Sequence, residues 1–107
     1  MFIHASSRLT AVLRKYLSEV SFQDIPVAII HVGKLTRGRY DHEGDLRIAY
    51  QKQQEGYGLV LLGRSPRHDY EQYPLFRKIM QKPNAMFLPL GRDISQSLKD
   101  AIARLYA

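Results

Sequence analysis

The sequence predicts an α+β fold in which a small, mainly antiparallel sheet of three to four strands is flanked by helices. Two runs in the middle of the chain favour this class. Asp45 to Gln51 alternates apolar and polar residues, as a half-buried strand does. In the run Tyr57 to Arg64, residues Leu59 to Leu62 are apolar on both faces, as in the central strand of a sheet. A short polar connection containing Glu55-Gly56 joins the two runs, so we expect an antiparallel hairpin.

The N-terminal third predicts one helix followed by one strand. Ser6 and Ser7 are suitable N-cap residues, and apolar residues recur at helical spacing from Leu9 to Val20. Residues 21 to 26 break that period, and the β-branched run Val27 to Val32 predicts a strand. Residues 33 to 44 are polar and basic, so we expect a long loop there.

The C-terminal third predicts a helix, a short strand and a final helix. Tyr73-Pro74 offers a helix start with proline at its first position. Pro89 indicates that Ala85 to Leu90 is an edge strand, and Asp93 or Ser95 is the expected cap of the last helix. The chain contains no internal repeat and no linker-like segment, so residues 1–107 predict a single domain.

Composition limits the classes of partner and site. The chain has 16 Lys and Arg against 10 Asp and Glu, a net charge of +6, which favours an anionic partner such as RNA, DNA or an acidic protein. It has no cysteine, which excludes disulfides and thiolate metal sites. No apolar run approaches the roughly 18 residues of a membrane span, and the N-terminus does not resemble a signal peptide. We therefore expect a cytoplasmic protein with no membrane partner.

Basic and aromatic residues gather around the predicted hairpin. In an antiparallel pair, the end of the second strand lies beside the beginning of the first. The hairpin would therefore bring the residues that follow the second strand close to Arg47 on the first. The residues concerned are Arg64, Arg67, His68 and Tyr70.

The same residues resemble the RelE/ParE superfamily of bacterial toxins. The similarity comprises an R-x-x-Y strand at Arg47 to Tyr50, the aliphatic run Gly58 to Arg64, and the basic segment Arg67 to Tyr70. The continuation from Tyr73 to Met80 is most similar to the YafO type. The resemblance implies the toxin of a type II toxin-antitoxin system: an mRNA endonuclease that needs no metal or other cofactor. Its implied partners are mRNA on the ribosome and a cognate antitoxin.

The resemblance also implies roles for individual residues. Arg47 would contact the scissile phosphate, and Arg64 or Arg67 would stabilise transition-state charge. His68 would act as the acid, and Tyr70 would donate a proton or stack on a base. The basic loop before the predicted hairpin adds candidate RNA-binding residues: Lys34, Arg37, Arg39 and His42.

Other interpretations remain open at this point. Arg47 could pair with Asp45 or Glu43 on an exposed face, and His68 could bond to Asp69 within a loop. The protein could instead be a non-catalytic basic module, of phage or plasmid origin, that binds nucleic acid or inhibits a partner protein. A metal-dependent PD-(D/E)xK nuclease is disfavoured, because the second strand offers Leu62-Gly63-Arg64 where an acidic residue and a lysine are needed. The four histidines show no zinc-ligand spacing.

Overall fold

The computed structural model describes residues 17–22, 24–35, 38–91 and 94–105. Within these ranges, strands and helices alternate along most of the chain. Their bounds are β1 (Leu17–Phe22), β2 (Ile25–His31), α1 (His42–Gln54), β3 (Gly58–Gly63), α2 (Arg67–Tyr70), α3 (Pro74–Met80), β4 (Ala85–Pro89) and α4 (Ile94–Leu105).

The sheet has the order β1-β2-β3-β4, and its strands β2, β3 and β4 are parallel. Ile29 pairs with Val60, and Val60 in turn pairs with Met86. Strand β1 is antiparallel to β2. The prediction of a mainly antiparallel α+β fold of the RelE/ParE kind is therefore wrong, and the fold is α/β. Helix-containing crossovers between successive strands make the parallel arrangement possible.

The predicted hairpin is wrong because its first strand is part of helix α1. The residues that α1 buries are Asp45, Leu46, Ala49 and Gln53, a spacing of three to four. Asp41 caps the helix by accepting the backbone N–H of Gly44 at 3.0 Å. The expected turn at Glu55-Gly56 is the C-terminal end of the helix, where Gly56 has a φ of 97°.

Some of the other predicted elements are confirmed and others are wrong. The strands expected at Val27 to Val32 and Tyr57 to Arg64 are confirmed as β2 and β3, and β4 is an edge strand as expected. Pro74 is the first residue of α3. The predicted N-terminal helix is wrong over residues 17 to 20, which belong to β1, and its part before residue 17 lies outside the described residues. Ser95 lies inside α4 rather than at its cap, and Asp93 is outside the described residues.

Each face of the sheet is covered by helices. Helices α1, α2 and α3 pack on one face and α4 packs on the other. The first core contains Ala28, Ile30, Val32, Leu46, Ala49, Leu59, Leu61, Tyr70, Phe76 and Ile79. The second contains Val27, Ile29, Val60, Leu62, Leu98 and Ile102. Strand β3 is buried along its whole length, and each fully buried leucine contributes about 1.5–3 kcal/mol.

The parallel strands determine where a site is expected. Because β2, β3 and β4 run in the same direction, their carboxyl ends share one edge of the sheet, which we call the carboxyl edge. Open α/β sheets bind their ligands outside this edge. No helix in the described part of the chain is long and apolar enough to cross a membrane.

Candidate functional site

Three basic residues come together where β2 and β3 end. His31 is the last residue of β2, Lys34 follows three positions later, and Arg64 comes directly after β3. Burial lowers the pKa of His31, and the positive charges of Arg64 and Lys34 lower it further. The register of the sheet agrees, because His31 pairs with Leu62 and Arg64 lies two residues beyond Leu62. The lowered pKa favours the neutral imidazole. We call these three residues the basic cluster.

The alternation of side chains along the strands explains the basic cluster. Val27 and Ile29 of β2 face α4, so His31 points to the same side of the sheet. Val60 and Leu62 of β3 also face α4, which directs Arg64 towards that side. The backbone N–H of Val32 donates to the carbonyl of Leu62 at 2.8 Å, so the two strand ends are held in register. His31 Nε2 is buried and has no hydrogen-bond partner among the described residues.

A buried carboxylate holds the turn that follows β2. Asp45 of α1 is fully buried, and its Oδ2 accepts the backbone N–H of Gly33 at 2.6 Å. Its Oδ1 has no hydrogen-bond partner within the described ranges. Burial raises the pKa of Asp45 to about 6, although the hydrogen bond from Gly33 opposes this rise. Asp45 thereby fixes the position of Gly33, the residue before Lys34.

Gly33 is suited to this turn in two ways. Its φ is 78°, in the left-handed region that favours glycine. A Cβ added at Gly33 would collide with the imidazole of His42. The close approach of His42 therefore depends on glycine at this position.

Three aromatic rings lie in sequence next to this turn, and we call them the aromatic stack. The ring centroids of Tyr40 and His42 are 6.3 Å apart with an interplanar angle of 30°. Those of His42 and Tyr73 are 5.7 Å apart and nearly parallel, at 9°. Tyr40 is the outermost ring and is 56% exposed. The stack ends in a ring surface that solvent reaches.

Tyr70 anchors the loop that follows β3. Its ring is buried in the core against Phe76 and Phe87, with centroid distances of 5.9 and 5.1 Å. Its hydroxyl lies over Gly63 and accepts the backbone N–H of Ser65 at 3.3 Å. Tyr70 therefore positions the backbone on either side of Arg64, and its buried ring offers no platform for a base.

The remaining candidate catalytic residues lie on the helices. Arg47 is exposed on α1, where it lines a small cleft of about 70 Å³ with Tyr73 and Leu75. Arg47 was predicted to lie beside Arg64 because of the hairpin. That prediction is wrong, because Arg47 is part of helix α1. In α2, Arg67 forms an ion pair with Glu71 at 3.7 Å.

His68 contacts its neighbour Asp69, as the alternative interpretation of the sequence predicted. Its Nε2 lies 3.0 Å from Asp69 Oδ1, and its side chain is 75% exposed. The contact joins adjacent residues of the short helix α2. The geometry thus gives His68 a surface interaction rather than a place in a cleft.

The candidate RNA-binding residues are distributed around the same edge. Lys34 belongs to the basic cluster, and half-buried His42 belongs to the aromatic stack. Arg39 is exposed in the segment between β2 and α1. Arg37 is outside the described residues. Of the predicted site residues, Lys34 and Arg64 are thus placed together by the fold.

Sequence reasoning missed three residues of this site: His31, Asp45 and Tyr40. His31 was assigned to a strand without a role, and Asp45 was assigned to an exposed strand position. Recognising that β2 and β3 are parallel would have placed His31 beside Arg64. Tyr40 carried a usable signal, because it is an aromatic residue next to Arg39 in a basic segment.

Acidic residues determine where an anion can bind. Asp41, Glu43 and Asp45 occupy the N-cap and first turn of α1, so their charges oppose an anion directly at that helix end. An anion is better placed over the ends of β2 and β3. Nowhere in residues 17–22, 24–35, 38–91 and 94–105 do three or more His, Cys, Asp or Glu side chains form a group that could hold a metal ion.

Known proteins provide no direct guide to the chemistry of the carboxyl edge. Comparison with protein families, with curated proteins and with solved structures finds no match to this chain. A function must therefore be argued from the residues of the site itself.

Proposed function

We propose that this protein binds a phosphate-bearing ligand at the carboxyl edge, where Lys34 and Arg64 neutralise the phosphate charge. The observation that carries the proposal is geometric: His31 pairs with Leu62 at the ends of β2 and β3, and Lys34 and Arg64 follow these ends in two different loops. Like charges repel when they are brought together, and a bound phosphate dianion offsets that repulsion.

The side chains of the basic cluster suit phosphate in complementary ways. The planar guanidinium of Arg64 can donate two parallel hydrogen bonds to phosphate oxygens. The ammonium of Lys34 acts as a compact charge on a flexible stem. A bound phosphate would also favour protonation of His31, which would then contribute a further positive charge. The net charge of +6 would attract anionic ligands over a longer range.

Isothermal titration calorimetry with tripolyphosphate tests this proposal. The Arg64→Ala variant should lose about tenfold or more in affinity, since a hydrogen bond to a charged group contributes about 1.5–3 kcal/mol. Arg104→Ala is the matched control, because Arg104 is exposed near the end of α4, about 15 Å along the helix from its start beside the carboxyl edge. Equal effects of the two substitutions would contradict the proposal, as would a wild-type protein that does not bind tripolyphosphate.

RNA cleavage is a second candidate function, and the position of His31 favours it. His31 Nε2 is buried, so the acceptor would be Nδ1 of the neutral imidazole. Nδ1 would accept a proton from a 2′-hydroxyl, while Lys34 and Arg64 stabilise charge on the phosphate. The 2′-oxygen would attack the adjacent phosphorus, and the bond from phosphorus to the 5′-oxygen would break. The leaving 5′-oxygen would take a proton from water, and the products would have 2′,3′-cyclic phosphate and 5′-hydroxyl ends.

The cleavage candidate is tested by incubating the protein with mRNA, with and without translating ribosomes. Cleavage by the wild type that His31→Ala abolishes, while tripolyphosphate binding is retained, would support it. Intact mRNA under both conditions would refute it and leave the binding function as proposed.

A further inference from the structure

The aromatic stack ends in a ring that is both exposed and held in place. Tyr40 is 56% exposed, yet its ring lies over His42, which in turn lies parallel to Tyr73. An isolated surface tyrosine would lose more side-chain freedom when it captured a planar ligand. The rings behind Tyr40 already restrict its orientation, so its side chain loses less conformational entropy when a ligand binds.

The aromatic stack and the basic cluster share the turn that follows β2. The imidazole of His42 lies against Gly33, and Lys34 is the next residue. Asp45 holds this turn through its hydrogen bond to Gly33. A planar group on Tyr40 and a phosphate on Lys34 and Arg64 would therefore contact two sides of one turn.

We propose that the phosphate-bearing ligand is a single-stranded nucleic acid, with Tyr40 as the stacking platform for one base. This inference rests on the proposed phosphate-binding function and identifies the class of ligand. Aromatic platforms next to cationic residues bind unpaired strands because every base has a π face. Bases within a duplex are already stacked on their neighbours and do not present that face.

The exposed apolar surface is too small to favour a protein partner instead. Among the described residues, the large hydrophobic side chains that are exposed are Leu35, at 47%, and Tyr40. Two such residues form only a small apolar patch, whereas larger exposed apolar patches mark protein interfaces. Lys34 precedes Leu35 and Arg39 precedes Tyr40, whereas Asp41 follows Tyr40. The phosphates of a bound strand would therefore lie towards Lys34 and Arg39 and away from Asp41. These features fit a polyanion with planar groups better than an apolar protein surface.

Fluorescence anisotropy with short labelled oligonucleotides tests the inference. The probes are oligouridine, oligothymidine and an RNA duplex of the same length, and tripolyphosphate binding is measured in parallel by calorimetry. The variants are Tyr40→Ala and Tyr40→Phe. Leu35→Ala is the matched control, because it removes an exposed apolar side chain from the same loop without removing a ring. Circular dichroism checks that each variant is folded.

We expect Tyr40→Ala to weaken binding of a single strand by about fivefold or more, since stacking of one base on an aromatic ring is typically worth that much. Tyr40→Phe should bind like the wild type, because it keeps the ring. Neither Leu35→Ala nor the Tyr40 variants should alter tripolyphosphate affinity. The duplex should bind more weakly than the single strands.

Three results would overturn the inference, and only the third would also be a failure of the proposed function. If tripolyphosphate binds but the single strands do not, the phosphate site stands and the nucleic-acid assignment falls. If single strands bind equally well to the wild type and to Tyr40→Ala, Tyr40 is not a stacking platform. If neither tripolyphosphate nor any strand binds, the proposed function and the inference both fail.

Discussion

Replacing Asp45 by asparagine should stabilise the protein at neutral pH, because the buried carboxylate is charged there. Asp45 is fully buried, and its pKa is raised from 3.8 to about 6. The difference between these two values corresponds to about 3 kcal/mol. A carboxyl group that binds its proton more tightly in the folded state favours folding most below pH 3.8. That contribution is lost as the pH rises through about 6.

The substitution should retain the main contact of Asp45. An asparagine side-chain oxygen can still accept the backbone N–H of Gly33, but it carries no charge. Its amide would take the place of Oδ1, which has no partner in the described part of the chain. An unsatisfied buried amide costs about 1–3 kcal/mol. The net gain at pH 8 should therefore be about 1 kcal/mol, with a net loss at pH 4.

Urea unfolding at a series of pH values between 4 and 8 measures this effect. The free energy of unfolding of Asp45→Asn, relative to the wild type, should rise by about 2.5 kcal/mol across the series, since part of the effect is already present at pH 4. Asp100→Asn is the control, because Asp100 is exposed on α4. A difference between Asp45→Asn and the wild type that does not change with pH would refute the reasoning, whatever its size.

Three further substitutions test separate parts of the site. Gly33→Ala should lower the free energy of unfolding by about 1–3 kcal/mol, measured by urea titration, because Gly33 has a φ of 78° and its Cβ would meet His42. Tyr70→Phe removes the acceptor of the Ser65 N–H and should cost about 1 kcal/mol, with a loss of tripolyphosphate affinity in calorimetry if that loop positions Arg64. Arg39→Ala should reduce the slope of log affinity for a single strand against log salt by about 0.7, and an unchanged slope would place the strand elsewhere.

Strong local signals predicted several elements of the fold. The run Val27 to Val32 and the run Leu59 to Leu62 contain aliphatic residues on both faces, and a sheet covered by helices on each side requires such strands. Pro74 fixed the start of α3, because proline needs no N–H partner in the first turn of a helix. These signals depend on residues that are close in sequence.

The error at α1 arose because polar residues lie on its buried face. The seven-residue run Asp45 to Gln51 fits both a strand and a helix when Asp45, and Gln53 just beyond the run, are assumed to be exposed. Gln53 is buried because its Nε2 donates to the carbonyl of Ile79 at 3.0 Å and to Asn84 Oδ1 at 3.2 Å. These partners are distant in sequence. Because α1 was predicted to be a strand, its connection to β3 was predicted to be a hairpin turn. The parallel pairing of β2 with β3 was therefore missed.

The chemistry of single residues identified part of the site, but their neighbours depended on topology. Lys34 was selected as a cation in a basic loop. Arg64 was selected because it follows the second strand of the predicted hairpin and because the resemblance implies a basic residue there. His31 joined them only because β2 and β3 are parallel and end at the same edge. Arg47 is not part of the basic cluster, because it lies on α1, the helix that connects β2 and β3.

The position of a bound phosphate is the most direct test of the central claim. A titration of ¹⁵N-labelled protein with tripolyphosphate, followed by two-dimensional NMR, reports on every assigned backbone amide. The site described here predicts shifts at Gly33, Lys34, Arg64 and Ser65, with little change at amides beside the amino ends of the strands. Shifts centred instead on the open groove of about 220 Å³ between Arg67 and Arg77 would contradict the claim.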